Sequence, residues 1–431
     1  MKLDRRRLAA IAIGSLMLVA ACGGPTASAD HSPIEVAFFA PFTGPDAGFG
    51  PEGMAGCVPA TRVINAAGGV IGHPFTCVAV DSRGDPADAV PAATKLVATT
   101  SNLVLVMGCT SDEASSVAPI FNAAKIPMFC NTGEAVFDKS PYTYFHRLAP
   151  ADDYAGYAMS VWAKSQGYTR GVAMFGNDIG SQGTLPTLLN GFQKLGGTMV
   201  LSQSLALDQS SYRSEVIHAI AANPQVIFTE ADPQTDATYL SEFKQLNHGL
   251  VPVVGADPTL DPNWFQAVGG AIGKQDLVNS FVAENPAAAT SGPAYDIFKA
   301  ALMGSPADQV PKPASWSSNP YAEHEFDAVI LAALAMTAAK STTGSVYNSY
   351  LNKVSTGGAG SGATQVVSYA DGVSALNNGK TIAYVGPGGP TTFDQWGNSA
   401  GGFDVDHYDL NGNYITVGHV TAQQVADLIK S

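Results

Sequence analysis

The chain has 431 residues, of which 46% are hydrophobic, and its formal net charge at pH 7 is −14. Its length exceeds what a single hydrophobic core usually holds, so two lobes are expected. An acidic chain without a run of Lys or Arg is a poor candidate for binding nucleic acid, which requires clustered basic side chains against phosphates. Electrostatic attachment to anionic lipid is equally disfavoured.

The N-terminus has the parts of a bacterial export signal. Arg5–Arg7 precede an apolar run, Leu8–Ala21, of 14 residues, which is shorter than the roughly 20 residues that a membrane-spanning helix needs. Val19-Ala20-Ala21-Cys22 is similar to a lipobox. We therefore predict a lipoprotein signal peptide at residues 1–21, lipidation of Cys22 and a flexible tether over residues 22–33. The alternative is an ordinary cleaved signal in which Cys22 is incidental.

The predicted export places the folded chain outside the cytoplasm, anchored by lipid to the outer face of the cell membrane. Without residues 1–21 the chain keeps 18 Lys and Arg against 35 Asp and Glu, a net charge of −17, because four basic residues and one acid leave with the signal. The lipid is therefore the expected attachment, and no part of the chain is expected to span the membrane.

Four cysteines remain besides Cys22, and an even number in an exported protein suggests two disulfides. Three pairings are possible. We favour Cys57–Cys77 and Cys109–Cys130, since Cys109 and Cys130 both end apolar runs typical of neighbouring parallel strands. Metal binding is the alternative, but the sequence has no CxxC and no close Cys/His pair, so neither a metal nor a cofactor is predicted.

Short apolar runs alternate with longer amphipathic ones, which predicts an α/β fold with a parallel sheet covered by helices on both faces. The pattern occurs twice, and the two units join near residues 146–151. The predicted strands are Ile34–Ala40, Phe75–Val80, Leu103–Met107, Ile126–Phe129, Gly171–Phe175, Gly197–Leu201, Val226–Thr229, Val251–Val254 and Ser280–Ala283.

In such sheets the loops beyond the carboxyl ends of the strands form the ligand site. The relevant loops follow Ala40, Met107, Phe129, Phe175 and Thr229. Asp257, after a later strand, belongs to the same edge.

Several segments in these loops and after them occur in the order of a known family. Ile64-Asn65-Ala66-Ala67-Gly68-Gly69 followed by Gly84-Asp85-Pro86 is fairly specific in combination, and further matching segments are Ala40–Pro45, Ala124–Met128, Gly180–Gly183 and Tyr384–Pro390. From about residue 34 to the C-terminus, the chain resembles the branched-chain amino acid-type solute-binding proteins of ABC importers, which have a type I periplasmic-binding fold.

This resemblance implies two lobes, each a parallel sheet with helices on both faces. The first lobe is expected at residues 34–148 and 284–402, and the second at residues 149–283 and 403–431. It also implies a monomeric receptor that closes on a small polar solute and delivers it to ABC permease subunits in the membrane. An amino acid, an amide or a related amine or carboxylate would fit that description.

No catalytic group is needed for this function, and the sequence lacks the HExxH and GxSxG motifs, so no enzyme is predicted. A solute sensor subunit for a signalling receptor is the alternative function. An envelope enzyme on the same fold is less favoured.

Candidate ligand residues in the first lobe follow three strands. Phe49 would form an aromatic wall, although it also fits a surface loop aromatic. Thr110 and Ser111 precede a helix, where hydroxyl and N–H groups suit a carboxylate, although simple N-capping uses the same residue types. The resemblance implies that the loop of Thr132, Gly133 and Glu134 meets the ammonium of the solute. Glu134 stands where the family commonly has Thr, and a solvated loop acid is its alternative role.

In the second lobe the resemblance implies that Asp257 meets the ammonium, and the alternative is a turn Asp before Pro258, which is common. Glu230 and Asp232 follow the preceding strand. Family members often have an aromatic near Asp232 and another before Gly180, and this chain has neither. Asp178 is placed to line the same wall. Acids in place of aromatics argue against a branched-chain amino acid and favour a bulkier or more polar solute, one carrying an amine.

Overall fold

A computed structural model describes residues 31–44, 46–147, 150–357, 362–399 and 401–430. The predicted signal peptide and the lipidation site at Cys22 lie outside the described residues, as does most of the predicted tether.

The first part of the chain forms a fully parallel sheet with the strand order β2-β1-β3-β4-β5. β1 and β3 are almost continuously apolar because helices cover both faces of this sheet. The elements are β1 (Ile34–Ala40), α1 (Phe49–Ala66), β2 (Phe75–Asp81), α2 (Pro86–Thr99), β3 (Leu103–Gly108), α3 (Ser111–Ala123), β4 (Met128–Cys130) and β5 (Phe145–His146).

The next part repeats the plan and forms most of a second sheet. The central strands β8 and β9 are buried along their whole length. The elements are α4 (Asp152–Ser165), β6 (Arg170–Gly176), α5 (Ile179–Lys194), β7 (Thr198–Leu205), α6 (Arg213–Ala221), β8 (Val226–Glu230), α7 (Pro233–Asn247), β9 (Val253–Gly255), α8 (Pro262–Ile272), α9 (Lys274–Ser280) and β10 (Phe281–Pro286).

The last part returns to the first core and then to the second sheet. Its first elements are α10 (Pro293–Met303), α11 (Pro320–Ala339), α12 (Gly344–Tyr347), α13 (Leu351–Thr356), β11 (Thr364–Val366), α14 (Tyr369–Asn377), β12 (Ile382–Gly386) and β13 (Gly389–Pro390). The final elements are β14 (Phe403–Tyr408), β15 (Tyr414–Val420) and α15 (Ala422–Lys430). β14 pairs antiparallel with β10, which gives the second sheet the order β15-β14-β10-β9-β8-β6-β7.

The two-lobed α/β fold predicted from the sequence is confirmed. The first lobe is built on the β1–β5 sheet and the second on the β6–β10, β14 and β15 sheet. The predicted boundary at residues 283/284 falls inside β10. The residue limits of the lobes remain predictions.

Helix α11 is buried in the core of the first lobe and packs against α1. Gly56 of α1 permits this close approach, since a Cβ atom there would collide with the backbone of Ala322. Among the described residues, no single helix has the length and apolar composition to cross a membrane. The segments Pro320–Ala339 and Gly344–Thr356 have that length and composition only when they are taken together, and they are bent by 89° relative to each other.

Two disulfides join the predicted partners. Cys57 in α1 pairs with Cys77 in β2, with a Cα–Cα distance of 6.0 Å. Cys109, directly after β3, pairs with Cys130 at the end of β4, with a Cα–Cα distance of 4.7 Å. The favoured pairing is therefore confirmed, and the second disulfide lies immediately before two of the loops that the sequence assigns to the ligand site.

We expect replacement of Cys109 and Cys130 by Ala to lower the free energy of unfolding by about 3 kcal/mol, because the cross-link closes a loop of 21 residues. Thermal denaturation of the double variant measures this loss, with the Cys57→Ala/Cys77→Ala variant for comparison. Free thiols at these four positions in the unreduced, denatured protein would contradict the pairing.

Candidate functional site

The loops at the carboxyl ends of both sheets meet at one cleft of about 1250 Å³, including space open to solvent. All five loops expected from the sequence contribute to it. Among the predicted site residues, those that line the cleft are Phe49, Thr110, Ser111, Gly133, Asp178, Glu230, Asp232 and Asp257.

At the start of α3, the donors of Thr110 are already used within the chain. Its hydroxyl donates to Glu113 Oε2 at 2.7 Å and its N–H donates to Glu113 Oε1 at 3.2 Å. Ser82 also donates to this carboxyl, at 2.9 Å. Capping therefore accounts for the hydrogen bonds of Thr110. Its predicted contact with a solute carboxylate remains untested.

The predicted residues Thr132 and Glu134 are not among the residues that line the cleft. Thr132 is buried, and its hydroxyl lies 3.1 Å from the hydroxyl of Ser111. The Glu134 carboxylate accepts a hydrogen bond of 2.9 Å from Ser115. The loop is held from behind by buried Arg147, which donates to the carbonyl oxygens of Thr132 and Glu134. Glu134 thus takes part in a local network, and its role toward a solute stays a prediction.

In the second lobe, three carboxylates at the cleft cap helices. Asp178 accepts a hydrogen bond from the N–H of Ser181 at 2.7 Å, at the start of α5. The N–H groups of Gln234 and Thr235 donate to Asp232 Oδ1 at the start of α7. Asp261 Oδ1 accepts from Asn263 and Trp264 at the start of α8. Each cap satisfies free N–H groups of a helix and fixes a negative charge at its N-terminus.

Hydrogen bonds from one lobe to the other hold two acids of the cleft. Asp112 of α3 accepts from the N–H of Ile179 in α5 at 3.2 Å. Tyr321 of α11 donates its hydroxyl proton to Asp257 Oδ2. Asp257 begins a short 3₁₀ turn that follows β9. The cleft is therefore closed by contacts that involve its own acidic side chains.

The cleft is strongly acidic. Eight carboxyl side chains line it, and there is no Lys, Arg or His among its described lining residues. These acids are Asp46, Glu52, Asp112, Asp178, Glu230, Asp232, Asp257 and Asp261. Apolar contacts come from Phe49, Leu207, Leu260 and Phe403.

Burial, followed by repulsion from neighbouring acids, raises the pKa of several of these carboxyls. The pKa of Asp46 is raised to about 7 and that of Glu52 to about 8. The pKa of Asp112 is raised to about 6 by burial and by Asp178, although hydrogen bonds from Ile179 and Gly180 oppose the shift. Burial also raises the pKa of Asp257. Part of the negative charge is therefore suppressed by protons near neutral pH.

Comparison with known proteins identifies the family. The family model described as "Periplasmic binding protein" matches residues 33–398.

The chain belongs to the periplasmic binding protein family. The predicted family and the expectation that the protein is not an enzyme are thereby confirmed.

Two curated relatives match parts of the chain. An "Amino acid binding protein" of Pseudomonas aeruginosa is 26% identical over 230 residues, which are 53% of this chain and 59% of that protein. "Leu/Ile/Val-binding protein homolog 3" of Brucella melitensis is 39% identical over 71 residues, 16% of this chain and 19% of that protein. The chain thus spans less than two-thirds of the length of these relatives.

A solved structure supports the fold over nearly the whole chain. The branched-chain amino acid transporter substrate-binding protein LivJ of Streptococcus pneumoniae, in complex with isoleucine, has a TM-score of 0.71 and 17% identity. The alignment covers 90% of this chain and 99% of that chain.

Sequence reasoning missed four acids of this periplasmic binding protein cleft and the tyrosine across from Asp257. Asp46 and Glu52 stand three residues before and after Phe49, and Asp112 follows Ser111. These three acids therefore lie close in sequence to residues that were predicted for the site. Asp261 has the same Asp-Pro sequence as Asp257. Tyr321 is distant in sequence, and no local pattern points to it.

We expect the protein to be more stable near pH 5 than near pH 8. The pKa of Glu113 is raised to about 7 and that of Glu52 to about 8, chiefly by burial. Between the ordinary glutamate pKa and these values the folded state holds protons that the unfolded state has lost, so stability falls as pH rises through this window.

Thermal denaturation across pH 5 to 8 measures the slope. Glu52→Gln, whose amide oxygen can still accept from Asn319, is expected to flatten it. A midpoint that stays constant or rises over this range would contradict the assignment.

Proposed function

We propose that this protein is a lipid-anchored, extracytoplasmic solute-binding receptor of an ABC importer. Its two lobes close on a small polar solute that carries an amine and present the closed form to permease subunits in the membrane. Family membership supports solute binding in general, whereas the anchor, the permease and the class of solute belong to this proposal.

The closed cleft carries the proposal. Side chains from both lobes line it, and the Asp112–Ile179 and Tyr321–Asp257 hydrogen bonds join the lobes across it. A solute enclosed there is removed from bulk water, so a few charges and hydrogen bonds hold it strongly. Closure also changes the outer surface of the protein, which a membrane partner can read.

The names of the relatives point to amino acids, but the acidic cleft favours the amine end of such a solute. Asp257 and Asp178 lie where an ammonium group is stabilised by charge, and Phe49 adds an apolar contact. A solute amine would also keep the acids of raised pKa ionised. We therefore place the amine of the solute among these carboxylates.

Thermal shift and calorimetry with amino acids, amides, amines and aromatic acids test this function. A true solute at about 100 times its dissociation constant stabilises the folded protein by about 2.7 kcal/mol, because it binds only the folded state. Asp257→Asn should weaken that binding by roughly tenfold or more without unfolding the protein. Binding by no member of the panel would count against a receptor function.

The lipid anchor has its own test. In a bacterial host that processes lipoproteins, the protein should incorporate labelled fatty acid and fractionate with membranes. Cys22→Ser should abolish the label and release the protein or leave it unprocessed. Label retained by Cys22→Ser would place the lipid elsewhere, and no label on either protein would favour an ordinary signal peptide.

A further inference from the structure

Asp46, Asp112, Asp178 and Asp232 all line the cleft, and Asp112 accepts a hydrogen bond from Ile179, the residue after Asp178. Besides burial, the charges of Asp112, Asp178 and Asp232 raise the pKa of Asp46. We call these four residues the Asp46 group. Two of them come from the first lobe and two from the second, so closing the cleft brings their charges together.

A second group forms around Glu52. Glu52 accepts a hydrogen bond from Asn319, and Asp257 accepts one from Tyr321, two residues further along the chain. The charges of Asp257 and Asp261 also act on the buried Glu52 carboxyl, and we call these three residues the Glu52 group. Phe49 also lines the cleft and precedes Glu52 by three residues on α1, so the two side chains lie on neighbouring turns of one helix face. Asp46 precedes Phe49 by three more. In the sequence, Phe49 thus lies midway between the first-lobe acids of the two groups.

The helix N-termini at the cleft offer little to an anionic solute. In a site for a carboxylate, such N–H groups would bind the ligand. Here the chain's own carboxylates accept from them, namely Glu113 from Thr110, Asp112 from Ile179, Asp178 from Ser181, Asp232 from Gln234 and Thr235, and Asp261 from Asn263 and Trp264. A solute carboxylate at these helix starts would meet negative charge.

The carboxylate of Asp232 indicates which kind of group the solute brings to the cleft. The side chain is 9% exposed and lines the cleft. Its Oδ1 caps α7, whereas its Oδ2 is buried and has no hydrogen-bond partner among the described residues. Leaving such a buried acceptor unsatisfied costs about 1–3 kcal/mol, and more for a charged group. A solute that brings a positively charged donor to this oxygen removes the cost.

We propose that the solute is a linear di- or polyamine, with one ammonium at the Asp46 group, another at the Glu52 group and the intervening methylenes against Phe49. The inference rests on the proposed receptor function and narrows its solute. Two cations offset the two acidic groups, whereas an amino acid offers one ammonium and adds a carboxylate for which the site has no basic side chain.

Calorimetry on the purified protein with 1,4-diaminobutane, 1,5-diaminopentane, butylamine and isoleucine tests the class of solute. We expect at least one diamine to bind at least tenfold more tightly than butylamine, because butylamine reaches only one acidic group. Isoleucine should give no measurable binding.

Two variants test the two groups separately. Asp232→Asn keeps a cap for α7, since Asn is an equally good N-cap, and Asp257→Asn keeps an acceptor for Tyr321. Each is expected to weaken diamine binding by roughly 10- to 100-fold, the usual range for losing a charged hydrogen-bond partner. Asp308→Asn, an exposed acid outside the cleft, is the matched control and should leave the affinity unchanged. Circular dichroism confirms that all three variants are folded.

The outcomes separate this inference from the function on which it rests. Binding of isoleucine or another amino acid, with no diamine bound, overturns the diamine and leaves the receptor function intact. Absence of binding by every solute class overturns both. Binding of Ca²⁺ alone in place of diamines overturns the diamine as well. Unchanged diamine affinity in both Asp variants overturns the assignment to the two groups.

Discussion

The structure depends on how like charges are accommodated in a closing cleft. Eight carboxyl side chains line it without a basic neighbour among the described lining residues, and bringing them together in a low-dielectric space is unfavourable. Three devices offset that cost. Protons neutralise acids of raised pKa such as Asp46 and Glu52. The N–H groups at helix N-termini donate to others such as Asp178 and Asp261. A cationic solute would balance the negative charge that is left. Protons and solute are therefore competing partners of the same carboxylates.

The scaffold holds these charges in place through the ends of its parallel strands. The Cys109–Cys130 disulfide ties the ends of β3 and β4, and the Thr110 and Asn131 loops begin on either side of it. Behind the second loop, buried Arg147 donates to two carbonyl oxygens and pairs with Asp138. The acidic cleft thus has a rigid wall in the first lobe. The second lobe supplies helix N-termini that carry their own acids.

Sequence patterns predicted β1–β4 and β6–β10, the disulfides and the loops of the cleft because each depends on local rules. The apolar run Ile34–Ala40 reproduces β1 at both ends. The identity of the site was harder to predict because it depends on distant partners. The hydroxyl and N–H groups of Thr110 are typical of a site that binds a carboxylate. Only the structure shows that both groups already donate to Glu113. Tyr321 donates a hydrogen bond to Asp257, which lies 64 residues earlier in the sequence. Asp261 and Pro262 also form a typical helix start, from which α8 begins.

Capping alone does not explain why the second-lobe helices begin with Asp. An N-cap needs one side-chain oxygen, and Ser, Thr or Asn would provide it without a full negative charge. The first oxygen of Asp232 already satisfies α7, and the charge gains only the modest attraction of the helix N-terminus, so the second oxygen has no hydrogen-bond partner among the described residues. The same reasoning applies to Asp261, whose cap uses only Oδ1. At both positions a neutral cap would remove repulsion from the closed cleft at little cost to the helix. The charge gains most when something positive enters between the lobes, and this links the start of these helices directly to the choice of solute.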